Sequence, residues 1–207
     1  MIGQKIELPT SQRTKCRRLA IHGDHHDLYV FLKPYASCLR SLQFFNIRYS
    51  KLDFVFKDFK LLRVLDGVPC PSRALSAVGN LIQLRYLGVV LMRSHMRQLQ
   101  VKLPRSIGKL KNLQTLKVET SMRLPMEDSI VKLGSLPNLK MLLLGLNSCD
   151  WTKLVCSSSE GFPQLHILHL QCLWFLEELI VEEGAMMKLK NLKISRCRGL
   201  RKIPERF

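Results

Sequence analysis

Acidic residues are scarce in this chain. Sixteen Asp and Glu stand against 33 Lys and Arg, for a net charge of +17 over 207 residues. That imbalance points to a polyanionic or acidic partner, whether nucleic acid, a membrane surface or an acidic protein face. The seven cysteines contain no C-x-x-C pair and their number is odd, which argues against a disulfide framework or a zinc site and favours a reducing compartment. None of the six asparagines begins an N-x-S/T acceptor site, and the opening "MIGQKIELPTSQRTK" lacks the apolar core of a secretory signal. The apolar run "YLGVVLM" near the middle is far too short to span a bilayer. These absences predict a cytoplasmic chain without a membrane span, with nuclear entry left open. No Ser-His-Asp or Cys-His order stands out, so neither catalysis nor a cofactor is expected.

What is present is a core-forming composition, 46% hydrophobic with a mean hydropathy of +0.01, arranged in a repeat. In "LPRSIGKLKNLQTLKV", residues 103–118, the apolar positions Leu103, Ile107, Leu110, Leu113, Leu116 and Val118 are separated by 4, 3, 3, 3 and 2. The stretch starts near a helical period and ends on that of a strand. Its second half, L-x-x-L-x-V, recurs in "CRRLAI", "LRSLQF", "LRVLDG" (where Gly67 is a poor match), "LRYLGV", "LKMLLL", "LHILHL" and "LKNLKI". The segments start at 16, 39, 62, 84, 113, 139, 165 and 189, at intervals of 22 to 29 residues. This is the spacing of a leucine-rich repeat, whose units bury their flanks only by stacking. The expected fold is α/β: a leucine-rich repeat solenoid, an irregular horseshoe with a parallel concave sheet of about eight strands. Residues 1–15 read as a mobile N-terminal extension and 16–207 as the repeat domain. An insertion is expected around "MRSHMRQLQVK", and "LEELIVEEG" (176–184) should add extended structure on the outer side. Asn or Cys, the residues that build a buried polar ladder after each strand, occur there as Cys70, Asn147 and Cys197, but Ile47, Met92 and Leu173 interrupt the series.

The position after the first apolar residue of each unit reads Arg17, Arg40, Arg63, Arg85, Gln114, Lys140, His166 and Lys190, so six of eight are Arg or Lys. Stacked repeats should align them into a basic column. No acidic residue lies between Asp66 and Glu119, whereas nine Lys or Arg do.

The succession "KLLRVLDG", "VGNLIQLRYLGV" and "LPRSIGKLKNLQTLKV" resembles the leucine-rich repeat domain of plant intracellular disease-resistance proteins of the coiled-coil, nucleotide-binding type. The closing "FPQLHILHLQCLWFLEELIVEEGAMMKLKNLKISRCRGLRKIPERF" is similar to the last repeats of those receptors. The chain departs from them in having no G-x-x-x-x-G-K-[ST] phosphate loop, so ATP binding is not carried over. A fragment, a truncated product and a stand-alone repeat domain all remain open. The resemblance implies a non-enzymatic protein-interaction domain. Arg40, Arg63 and Arg85 would clamp the acidic nucleotide-binding domain. Met141, Leu143, Ile167, His169 and Lys193, beside Lys140 of the column, would offer a recognition surface for a pathogen effector or a guarded host protein.

Two alternatives carry less. A scaffold or adaptor in intracellular signalling lacks an F-box-like helical segment before the repeats. Nucleic-acid binding lacks aromatics interleaved with the basic residues. "HGDHHD" (22–27) reads as a polar loop, not a metal site. His166 and His169, three apart on a strand, should face opposite ways. Trp151 and Trp174 read as packing residues of core or rim.

Overall fold

Two apolar residues two apart share one face of a strand, and each L-x-x-L-x-L segment uses them in that way. The computed structural model describes residues 15–23, 27–47, 52–70, 74–91, 104–120, 127–145, 152–156 and 161–205. The N-terminal extension up to residue 14, the expected insertion "MRSHMRQLQVK" (92–102), Trp151 and most of "HGDHHD" lie outside the described residues.

The repeat segments become β1 (Arg18–His22), β2 (Ser41–Phe45), β3 (Val64–Cys70), β4 (Tyr86–Leu91), β5 (Thr115–Thr120), β6 (Met141–Gly145), β8 (Ile167–Gln171) and β10 (Asn191–Ser195). They form one eight-stranded sheet in the order β1-β2-β3-β4-β5-β6-β8-β10, and every pairing is parallel. The second template leucine runs in register across the whole sheet, through Leu19, Leu42, Leu65, Leu87, Leu116, Leu142, Leu168 and Leu192. From Leu42 to Leu168 these side chains are buried, whereas Leu192 on the last strand is only half-buried.

Short helices return the chain. They are α1 (Leu28–Leu32), α2 (Asp53–Asp58) and α3 (Glu127–Gly134), together with 3-10 turns at Lys33–Tyr35, Ala74–Asn80 and Arg105–Lys109. Each points apolar residues at the strands: Leu32 and Tyr35, Val55 and Phe56, Leu75 and Val78, Ile107, then Ile130 and Leu133 are all buried. After α3 the return wall changes character. β7 (Lys153–Cys156) and β9 (Glu178–Val181) replace helices and pair in parallel as a second, two-stranded sheet. The extended structure expected over 176–184 is thus β9. Its "LEELIV" itself matches the L-x-x-L-x-V template at Leu176, Leu179 and Val181.

Small side-chain bonds tie neighbouring turns together. Asn112 Nδ2 donates to the Ile82 carbonyl at 3.0 Å, and Asn138 Nδ2 donates to the Lys111 carbonyl at 2.8 Å. The polar series expected after the strands survives at Cys197, whose thiol approaches the Leu170 carbonyl at 3.7 Å. Ile47 and Leu173 take the equivalent places as buried apolar residues. The residue just after β1, β2, β8 and β10 is left-handed each time: Gly23, Asn46, Cys172 and Arg196.

The poor template match at Gly67 has a physical cause. Pairing between β3 and β4 shifts register between Leu65 and Val68, so β3 carries a bulge and Val68 takes the buried place. Gly67 has φ +67, and a Cβ there would collide with the Phe44 carbonyl oxygen. Gly23 is equally left-handed, with φ +75, but has open space around it. Gly23→Ala should therefore cost only the conformational strain, about 1–2 kcal/mol. Gly67→Ala should cost that plus about 1–3 kcal/mol of overpacking. Urea unfolding of the two variants checks the difference; equal losses would dismiss the collision.

Candidate protein-interaction surface

The aligned basic column is held by the main chain. The Arg17 carbonyl accepts the amide hydrogens of Arg40 (2.8 Å) and Ser41 (3.0 Å), and the Arg40 carbonyl accepts those of Arg63 (2.7 Å) and Val64 (3.0 Å). Arg63 does the same for Arg85 and Tyr86, and Arg85 for Gln114 and Thr115. The pattern continues through Gln114, Lys140 and His166 to Lys190. All eight residues of the column thus occupy one ladder at the entrance to the strands, with neighbours about 4.8 Å apart.

The first four members are arginines. Arg17, Arg63 and Arg85 are exposed and Arg40 is half-buried. None of them forms an ion pair among the described residues, and Arg40 Nη1 is buried with no hydrogen-bond partner. Two unit charges about 5 Å apart repel by roughly 0.8 kcal/mol in bulk water. The row therefore stores repulsion that an anionic partner would relieve. At Gln114 the arginine run ends.

The expected recognition residues come together on β6, β8 and β10. Met141 stands beside Ile167, and Leu143 beside His169, which in turn neighbours Lys193. Met141, Leu143 and Ile167 are half-buried, and Lys193 is exposed. Gly145 lacks a side chain between Glu119 and Gln171. The resulting shallow depression is also lined by Lys117, Leu143 and His169. Lys117 pairs with Glu119 at 3.0 Å. His169 Nε2 lies 3.4 Å from Ser195 Oγ, while His166 Nδ1 is 2.6 Å from the Gln164 carbonyl oxygen. The two histidines thus have separate partners.

Some polar groups escaped the reading of the sequence. Asp66 Oδ1 accepts from the Gly67 amide at 2.9 Å and from the Tyr86 hydroxyl at 3.3 Å. A Cβ at Gly88 would strike that same carboxylate. Burial, and then the Asp66 carboxylate, push the Tyr86 hydroxyl up to about 12. On the second sheet Glu178 bridges Lys202 at 2.8 Å and Lys153 at 3.1 Å, and hydrogen bonds from these lysines hold its carboxyl below the usual range. The template match of "LEELIV" was the available signal for this face; nothing local announced the Asp66–Tyr86 pair. Trp174 sits on the rim, 38% exposed, with the Arg198 guanidinium 5.2 Å from its ring centre. His22 stacks on Phe45 at 4.7 Å. Among the described residues no three His, Cys, Asp or Glu gather as for a metal ion. No helix among them is long and apolar enough to cross a membrane.

Desolvation, and secondarily the Lys193 charge, hold His169 below its ordinary 6.5. Stability from neutral His169 is therefore present above pH 6.5 and lost as pH falls through the lower folded value. In an NMR titration the His169 ring should change charge below 6.5. Lys193→Gln should restore only the smaller part of the shift, because burial remains. A full return to 6.5 in that variant would refute burial as the main cause.

A family model for a leucine-rich repeat region matches residues 38–133. In Arabidopsis thaliana, the probable disease resistance protein RF9 is 47% identical over 78 residues, which are 38% of this chain and 7% of that protein. The probable disease resistance protein RF45 is 39% identical over 132 residues, 61% of this chain and 13% of that protein. This chain thus spans 7 to 13% of the length of these relatives. Among solved structures, an internalin (inlF) from Listeria monocytogenes superposes with a TM-score of 0.52 at 12% identity, over 95% of this chain and 68% of that one, a likeness of fold alone. Over residues 38–133 the chain matches a leucine-rich repeat region, and its sequence is similar to that of plant disease resistance proteins.

Proposed function

We propose that this repeat region is a non-enzymatic protein-interaction domain of a cytoplasmic disease-resistance receptor, with two working surfaces. Arg40, Arg63 and Arg85 hold an acidic nucleotide-binding domain in its resting arrangement. Met141, Leu143, Ile167, His169 and Lys193, flanked by Lys140, present the surface that meets a pathogen effector or a guarded host protein.

One observation carries the proposal: a row of arginines in register, without counter-charges among the described residues. Exposed like charges held side by side are relieved by an acidic surface that meets several of them at once, which also speeds encounter and fixes register. The later repeats offer a different chemistry, half-buried Met141, Leu143 and Ile167 among polar neighbours. Such a mixed surface suits discrimination between protein partners. The likeness to disease resistance proteins supports both roles.

The charge-reversed variant Arg40→Glu with Arg63→Glu should weaken binding to an acidic nucleotide-binding domain added in trans by at least about tenfold, or about 1.4 kcal/mol. Wild-type affinity should fall as salt rises, because exposed pairs are screened. Titration calorimetry at two ionic strengths reads both effects. Unchanged affinity in the double variant would reject the clamp.

A further inference from the structure

We infer that the notch over Gly145 seats the ring of a tyrosine side chain from a partner protein. This rests on the protein-interaction reading above and names the group that the later repeats receive.

The starting point is a glycine that the fold does not require. Two other glycines of the same sheet are forced. A Cβ at Gly67 would collide with the Phe44 carbonyl oxygen, and one at Gly88 would strike the Asp66 carboxylate. Gly145 differs, because its φ is not positive. A Cβ there would lie 3.8 Å from the Gln171 carbonyl oxygen, 3.9 Å from Gln171 Cβ and 4.0 Å from Glu119 Cγ, all ordinary contacts. Alanine would fit and would hold the strand better, since glycine loses more conformational freedom on folding. A strand glycine without a steric cause marks a place where another group comes close.

The space left by the absent side chain has a definite shape. Gly145 is the buried floor, and its register neighbours Glu119 on β5 and Gln171 on β8 form two walls. Those walls stand two strand spacings apart, about 9.6 Å. A flat ring midway would lie about 4.8 Å from the line of either strand, which leaves room for its thickness and little more. Leu143 adds apolar surface beside Lys117 and His169. The notch holds about 210 Å³, part of it open to solvent, below the roughly 300–1,000 Å³ of a small-molecule site. It suits one side chain.

The lining selects which one. Lys117 and Glu119 already pair at 3.0 Å, so a carboxylate or guanidinium would gain a partner only by breaking that bridge. An aliphatic guest would take water from the Gln171 amide and the Glu119 carboxylate and return no hydrogen bond, which costs free energy. A phenol avoids both losses. Its ring covers Leu143, while its hydroxyl can donate to Glu119 or accept from Gln171. Tyrosine is also among the side chains that most often anchor protein interfaces.

The test uses the full chain, isotopically labelled, with p-cresol, toluene and propylguanidinium as probes. In NMR titrations p-cresol should shift the Gly145 amide and the His169 ring saturably, with an affinity several-fold above that of the other two. Gly145→Val, which fills the notch, should abolish the His169 shift. Gly145→Ala, which only narrows it, should weaken p-cresol and raise the urea midpoint. A lowered midpoint in Gly145→Ala would show that the fold needs the glycine and would overturn the inference. Equal affinity for the three probes, shifts spread over the whole surface, or no shift at Gly145 would overturn it as well. Each of those results leaves Met141, Leu143 and Ile167 standing as a recognition surface, because that reading needs no filled notch.

Discussion

Each repeat turns one carbonyl toward the next repeat, and that carbonyl accepts two amide hydrogens. The bond recurs from Arg17 to His166 without interruption, and most of the structure depends on it. It sets the register between neighbouring strands at their entrance. Because side chains alternate along a strand, a slip of one residue would expose a whole column of leucines. The ladder and the buried column from Leu42 to Leu168 therefore enforce one another.

The same constraint produces the surface chemistry. Residues that are 22 to 29 positions apart in the chain become neighbours about 4.8 Å apart, so whatever occupies an equivalent position is multiplied into a row. Arginine at four successive entrances becomes a line of charge with no ion pair among the described residues. Met141 with Ile167, and Leu143 with His169 and Lys193, become two short columns of mixed character. Neither surface requires a pocket, and the shallow depression at Gly145 arises only because one column lacks a side chain there.

Deviations from the repeat are absorbed locally. The extra residue in β3 is taken up as a bulge at Gly67, which leaves Val68 in the core and frees the Asp66 carboxylate to meet Tyr86. The return wall changes from helices to the β7–β9 sheet after α3 without disturbing the main sheet, whose order passes from β6 to β8 to β10. The end strands show what stacking supplies: Leu192 and Ile194 on the last strand, and Leu19 on the first, stay half-buried where the leucine column from Leu42 to Leu168 is fully covered.

The apolar spacing alone determined the main architecture, because apolar residues at positions one, four and six of a unit, with Gly67 the exception, favour a turn that leads into a half-buried strand. It determined the eight strands of the main sheet, their parallel order implied by one-way repetition, and the membership of the basic column. Other features were decided by contacts between repeats. Whether Gly67 was a flaw or a bulge depended on the Phe44 carbonyl facing it. That "LEELIV" would pair with "KLVC" depended on two return segments meeting on the far wall. The left-handed residues after the strands at Cys172 and Arg196 have no local preference that announces them, since neither side chain favours that conformation. The Asp66–Tyr86 bond joins residues 20 apart, brought together by strand pairing. A periodic sequence specifies what each unit looks like, but a contact between units exists only once they are stacked.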